Sequence, residues 1–167
     1  MRRTGKAPPP TTGTVVSIIG DLGLVAARAL AFDDAGTLFV SGQTTTVAPQ
    51  SLFTVDERLA MLRDVTGDLP NVRVDKFKGL LVEFCQAHQI SAIVKGLRAV
   101  SDFEFEMEMA QMNYRLAEIE TLFMTANPLY SFLRSSLVKE IARFGGDVSS
   151  LVPAPVLERL SARLAAP

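Results

Sequence analysis

From Phe53 onward the apolar residues switch repeatedly between two periods, and that alternation leaves few architectures open. Val55, Leu59, Leu62 and Val65 recur at helical spacing behind Thr54 and Glu57, whose three-residue separation is that of a capping box. Gly67 and Pro70 end that helix. Val72 and Val74 alternate with Arg73 and Asp75 as a short strand, and Leu80, Leu81, Phe84 and Cys85 mark a second amphipathic helix. Ala92-Ile93-Val94 is a compact buried strand, after which Ser101 and Glu104 form another capping-box pair ahead of Phe105, Met109, Met112 and Leu116. Residues 120–125 read as strand and 136–144 as a helix closed by Gly145-Gly146. The last helix starts near Pro155, with Val156, Leu160 and Leu164 on one face. Such alternation is that of a parallel sheet with crossover helices. Ligands then bind beyond the carboxyl ends of the strands, which directs attention to residues 77–81, 95–98 and 125–136.

Upstream of residue 50 the patterns are weaker. Residues 4–13 form a Pro/Gly/Thr loop, 14–19 a β-branched strand, 24–32 a short Ala- and Leu-rich helix and 37–41 another strand. That order would supply a leading β-α-β unit. With 167 residues, 48% hydrophobic and 21% charged, the chain has the size and composition of one domain with a real core. Seventeen Lys+Arg against eighteen Asp+Glu argue against bulk binding to nucleic acid or anionic membranes. One cysteine and one histidine exclude a disulfide framework, a cysteine-rich zinc site and a single-chain histidine cluster. No apolar run reaches the roughly 18–20 residues of a membrane span. Met1-Arg-Arg leads into Pro8-Pro9-Pro10 without an apolar stretch, so no secretion signal is expected and the expected location is cytoplasmic.

Two segments carry candidate chemistry. Lys95-Gly96-Leu97-Arg98 leaves a buried strand with two cations flanking a glycine, a composition that suits a phosphate and equally a solvated turn. Tyr130-Ser131-Phe132-Leu133-Arg134-Ser135-Ser136 runs into a helix whose free N–H groups suit an anion, although a Ser pair there also reads as an ordinary cap. Glu104 and Glu106 read as complements to a helix dipole. His88 reads as a structural histidine at a helix end and Cys85 as core; neither has a partner at catalytic spacing. Met107, Met109 and Met112 suit packing or a subunit contact.

The stretch Val94-Lys-Gly-Leu-Arg-Ala-Val-Ser-Asp-Phe-Glu-Phe-Glu-Met107 is followed by Met109-Ala-Gln-Met-Asn113, Tyr130-Ser-Phe132 and Ser135-Ser-Leu-Val-Lys-Glu140. With Ser51-Leu-Phe-Thr-Val-Asp-Glu-Arg58, Leu69-Pro-Asn-Val-Arg-Val74 and Phe144-Gly-Gly-Asp-Val-Ser149, it strongly resembles bacterial phosphopantetheine adenylyltransferase from about Gln50 to the C-terminus. The resemblance implies an α/β fold, the Rossmann-like nucleotidyltransferase fold, with a parallel sheet, helices on both faces and an atypical N-terminal region. It implies a single domain, with 1–49 divergent or replaced and 50–167 as the family-like core, in a homohexamer. The implied reaction transfers the adenylyl group of ATP, with magnesium, to 4'-phosphopantetheine, giving dephospho-coenzyme A and pyrophosphate in coenzyme A synthesis. By position, Lys95 and Leu81 match substrate contacts. Gly96, Leu97, Arg98, Glu106 and Tyr130 through Ser136 (Tyr130, Ser131, Phe132, Leu133, Arg134, Ser135, Ser136) match ATP contacts.

The N-terminal part departs from the family. Its first strand should end in Pro-Gly-Ser/Thr-Phe-Asp-Pro followed by Thr-x-Gly-His, which hold the ATP phosphates and stabilise the transition state. The nearest stretch is Pro10-Thr11-Thr12-Gly13-Thr14, which puts Thr14 at the histidine position. A second substrate lysine falls on Pro49, Arg134 stands where serine is usual, and Tyr114 replaces an arginine. Residues 13–20 and 31–40 are similar to one blade of an NHL-type propeller, which cannot bury its own faces. The expectation is an N-terminus replaced by fusion, rearrangement or a frame change, with adenylyl transfer impaired. The alternative is an inactive member that binds phosphopantetheine or coenzyme A, or assembles with a normal homologue.

Overall fold

The computed structural model describes residues 29–33, 38–43, 52–98 and 100–165. In chain order the elements are β1 (Ala29–Asp33), β2 (Leu38–Gln43), α1 (Val55–Thr66), β3 (Val72–Phe77), α2 (Leu81–Ala87) and β4 (Ile90–Leu97). There follow α3 (Val100–Ala117), β5 (Glu120–Thr125), a 3-10 turn at Pro128–Tyr130, α4 (Ser135–Arg143) and α5 (Ala154–Ala165). The strands form one sheet in the order β3-β2-β1-β4-β5.

Most elements follow the local chemistry. Thr54 caps α1, its hydroxyl accepting from the Glu57 N–H at 3.2 Å while Glu57 Oε2 accepts from the Thr54 N–H at 2.7 Å. That backbone bond, with help from Arg163, holds the Glu57 carboxyl below its usual range. The helix buries Leu59 and Leu62 of the expected stripe, with Val55 and Val65 half-buried, and also buries Met61 and Thr66, which the spacing did not single out. Helix α4 stops in a Schellman motif: the Gly146 N–H donates to the Ile141 carbonyl at 2.9 Å and the Gly145 N–H to Ala142 at 3.1 Å, with Gly145 at φ 78°.

Two cores lie on opposite faces of the sheet. Val94, Val72 and Val74 pack with α1, α4 and α5 around Met61, Leu62, Val138, Val156 and Leu160. Ile93, the neighbour of Val94 on β4, packs instead with Val82 and Cys85 of α2 and with Ile119. The helices therefore flank both faces, as the alternation requires.

Two readings need correction. Residues 29–32, expected within a helix, are strand β1, and the sheet is not parallel throughout. β2 is parallel to β3 and β4 to β5, but β1 runs antiparallel to both β2 and β4. The cause is connection length. Four residues separate Asp33 from Leu38, whereas a parallel crossover needs about a dozen or more, so these neighbours can pair only as antiparallel strands. Strand pairing on both sides overrides the helix preference of Ala and Leu. The expected strand at 14–19 and the rest of that helix lie outside the described residues. Smaller adjustments follow. Helix α3 starts at Val100, so Ser101 lies within its first turn rather than at the cap, and Pro155 is the second residue of α5.

Candidate active site

The carboxyl ends of β4 and β5 meet through backbone pairing that runs to their last residues, Gly96 opposite Met124 and Leu97 opposite Thr125. The Ala126 N–H then donates to the Leu97 carbonyl at 2.8 Å, keeping the two exits together one residue beyond the sheet. After Ala126 the chain turns sharply. Asn127 caps the 3-10 turn, its Oδ1 accepting from the Leu129 N–H at 3.0 Å. Ser131 donates its hydroxyl to the Pro128 carbonyl at 3.0 Å, and the Leu133 N–H donates to Tyr130 at 2.9 Å. These local bonds hold residues 127–133 in successive turns that lead to α4.

Arg98 joins the two segments. Its Nη1 donates to the Leu133 carbonyl at 3.2 Å, spanning 35 positions in sequence. The Leu133 side chain is only 3% exposed and belongs to the α1–α4–α5 core, so it is the backbone of Leu133 that meets Arg98. Phe132 is exposed beside it. Arg134, extended at φ −129° and ψ 139°, stands at the N-cap of α4 without a side-chain cap bond, and Ser135 and Ser136 open the helix. An arginine at this cap brings a cation, not an acceptor, to the first-turn N–H groups.

On the other face Lys95 reaches toward α3. Its Nζ lies 2.9 Å from Glu106 Oε2, and the side chains are 15% and 24% exposed. Glu106 lies in the second turn of α3 rather than at its end, so it is an ion-pair partner and not only a dipole complement. Leu81, the first residue of α2, packs on the core of Val82, Cys85 and Ile93, on the side where Lys95 points.

The two segments singled out in the sequence, 95–98 and 130–136, are thus physically joined, with Glu106 beneath. The Lys95–Glu106 pair has no local sequence signature, since it depends on how α3 is rotated over β4. The Asn127 cap was legible in principle, as Asn-Pro favours turn initiation. Thr14 and Pro49 lie outside the described residues. His88 packs against Phe84 with tilted rings 4.3 Å apart and Cys85 is buried, which fits their structural reading.

The cytidylyltransferase-like family model matches residues 25–141, from just before β1 to within α4. The chain belongs to that family. Its similarity to the phosphopantetheine adenylyltransferase of Thermobifida fusca (strain YX) is 61% identity over 119 residues, covering 71% of this chain and 73% of that protein. The enzyme of the same name from Streptomyces coelicolor is 51% identical over 145 residues, 87% of this chain and 89% of its own. That of Frankia casuarinae is 60% identical over 119 residues, 69% of this chain and 74% of its own. The chain is thus a member of the phosphopantetheine adenylyltransferase group, with the strand order and two-faced helix packing of a Rossmann-like nucleotidyltransferase.

Proposed function

We propose that this family member transfers the adenylyl group of ATP to 4'-phosphopantetheine, giving dephospho-coenzyme A and pyrophosphate. The observation that carries the reading is the Arg98–Leu133 bond, which joins the two candidate phosphate segments into one cleft at the strand exits. In this reading Lys95 and Leu81 receive phosphopantetheine, while 96–98, Glu106 and 130–136 receive ATP. The acceptor phosphate attacks the α-phosphorus in line, so the chain's task is orientation and charge stabilisation rather than covalent chemistry. Arg98 and the first-turn N–H groups of α4 are the donors available for that charge.

Magnesium would enter as the partner of the nucleotide phosphates. Among the described residues no three potential metal-ligating side chains gather. We place the activity in the cytoplasm and treat the chain as one domain with a divergent segment before residue 50. Among the described residues no helix is long and apolar enough to cross a membrane. The hexamer implied by the family resemblance finds support in α3. Phe105, Met109, Met112 and Leu116 recur at spacings of 4, 3 and 4 and are 59%, 39%, 51% and 53% exposed, an apolar stripe suited to another subunit.

A coupled pyrophosphate-release assay with ATP, magnesium and 4'-phosphopantetheine tests the activity. Release that depends on all three components is expected; no release above that of a chain-free control sinks the reading.

A further inference from the structure

In the proposed reading Lys95 meets the phosphorylated substrate, and in the structure its ammonium rests on the Glu106 carboxylate at 2.9 Å. Glu106 Oε2 is buried and receives no aligned hydrogen bond among the described residues. The contact is therefore an ion pair whose acidic partner has spare acceptor capacity. A carboxylate ordinarily takes several donors, and a buried oxygen with none is costly unless a counter-charge stands beside it. Here Lys95 is that counter-charge.

We propose that Glu106 is a positioning residue that acts as a resident stand-in for the substrate's phosphate. Its Oε2 holds the Lys95 ammonium between β4 and α3. An incoming phosphate competes for the same ammonium and releases Glu106 to accept from the second ligand. This inference rests on the adenylyl-transfer reading above, because it takes the Lys95 ligand to be 4'-phosphopantetheine.

The sign of the effect distinguishes this role from a plain structural one. A carboxylate that only props Lys95 in place would weaken phosphate binding when removed. A carboxylate that competes for Lys95, and repels the phosphate as well, would strengthen it. Partly exposed ion pairs are worth up to about 1 kcal/mol, which converts to a gain of roughly threefold to fivefold in affinity.

Calorimetry on the full chain with 4'-phosphopantetheine and with unphosphorylated pantetheine provides the test. Glu106→Gln should tighten 4'-phosphopantetheine binding by roughly threefold to fivefold and leave pantetheine unchanged. Glu106→Asp, which keeps the charge, should return affinity toward that of the parent chain. Lys95→Met should weaken the phosphorylated ligand alone, and thermal melts of each variant check that it is folded. If the parent chain binds 4'-phosphopantetheine and Glu106→Gln binds it equally or more weakly, the stand-in role is wrong while the functional reading stands. If the parent chain binds neither ligand, the functional reading fails and takes this inference with it.

Discussion

Cys85 shows how burial sets the chemistry of a single side chain. It is fully buried on the inner face of α2, and desolvation pushes its thiol from an ordinary 9.0 up to about 11. The folded state prefers the protonated thiol, so this contribution to stability is present below the ordinary value and is lost as pH rises above 9.0. At pH 8 a disulfide reagent such as Ellman's should label Cys85 slowly in the native chain and rapidly in urea; fast native labelling would show an accessible thiolate. Cys85 and His88 were readable from sequence because each sits at a definite place on a periodic helix. The Lys95–Glu106 pair was not, since its partners come from different elements and meet only once α3 docks on β4.

At the scale of elements, legibility followed the strength of local signals. Helix α1 has a reciprocal cap, a clear apolar stripe and a stop, and it forms where those signals place it. Helix α3 is the contrast. Its clearest apolar stripe, from Phe105 to Leu116, is solvent-facing, while the less apolar row of Glu106, Ala110, Asn113 and Ala117 turns inward. Periodicity identifies a stripe but does not say whether the stripe meets the chain's own core. The end of α4 yields a sharper prediction. Gly145 holds φ 78°, a conformation that a Cβ disfavours by about 1–2 kcal/mol. Nothing lies within 4 Å of a Cβ built there, so strain and not crowding should dominate Gly145→Ala. Its urea midpoint should fall by the equivalent of about 1–2 kcal/mol. Gly146→Ala should be worse, because its Cβ would lie 2.5 Å from Ile141 Cγ2. Equal midpoints for Gly145→Ala and the parent chain would show that the turn relaxes.

At the scale of the whole molecule, the decisive feature is the direction of β1. In a sheet of this kind ligands gather at the carboxyl ends of the strands, where β4 and β5 exit side by side. β1 runs the other way: Leu30 lies opposite Val94 and its last residue, Asp33, opposite Ile90, the first residue of β4. The chain therefore leaves β1 at the end of the sheet away from Lys95 and Arg98. By resemblance, the loop after the first strand should hold the ATP phosphates and lead to the transition-state histidine. The carboxyl end of this β1 does not open toward Lys95 and Arg98. The sequence concealed this because it hinted at a helix where the central strand runs, and only the short link from Asp33 to Leu38 betrays the hairpin. Binding and transfer should consequently separate. In the proposed reading 4'-phosphopantetheine meets Lys95, which the reversal leaves in place, so its affinity should resemble that of a family member carrying the Pro-Gly-Ser/Thr-Phe-Asp-Pro loop. Loss of one electrostatic group at a transition state costs about 10²–10³ in turnover. Pyrophosphate release per chain at saturating substrates should therefore be lower than that member's by at least about a hundredfold. Turnover within a few fold of the comparison enzyme would mean that another part of this chain supplies the missing charge.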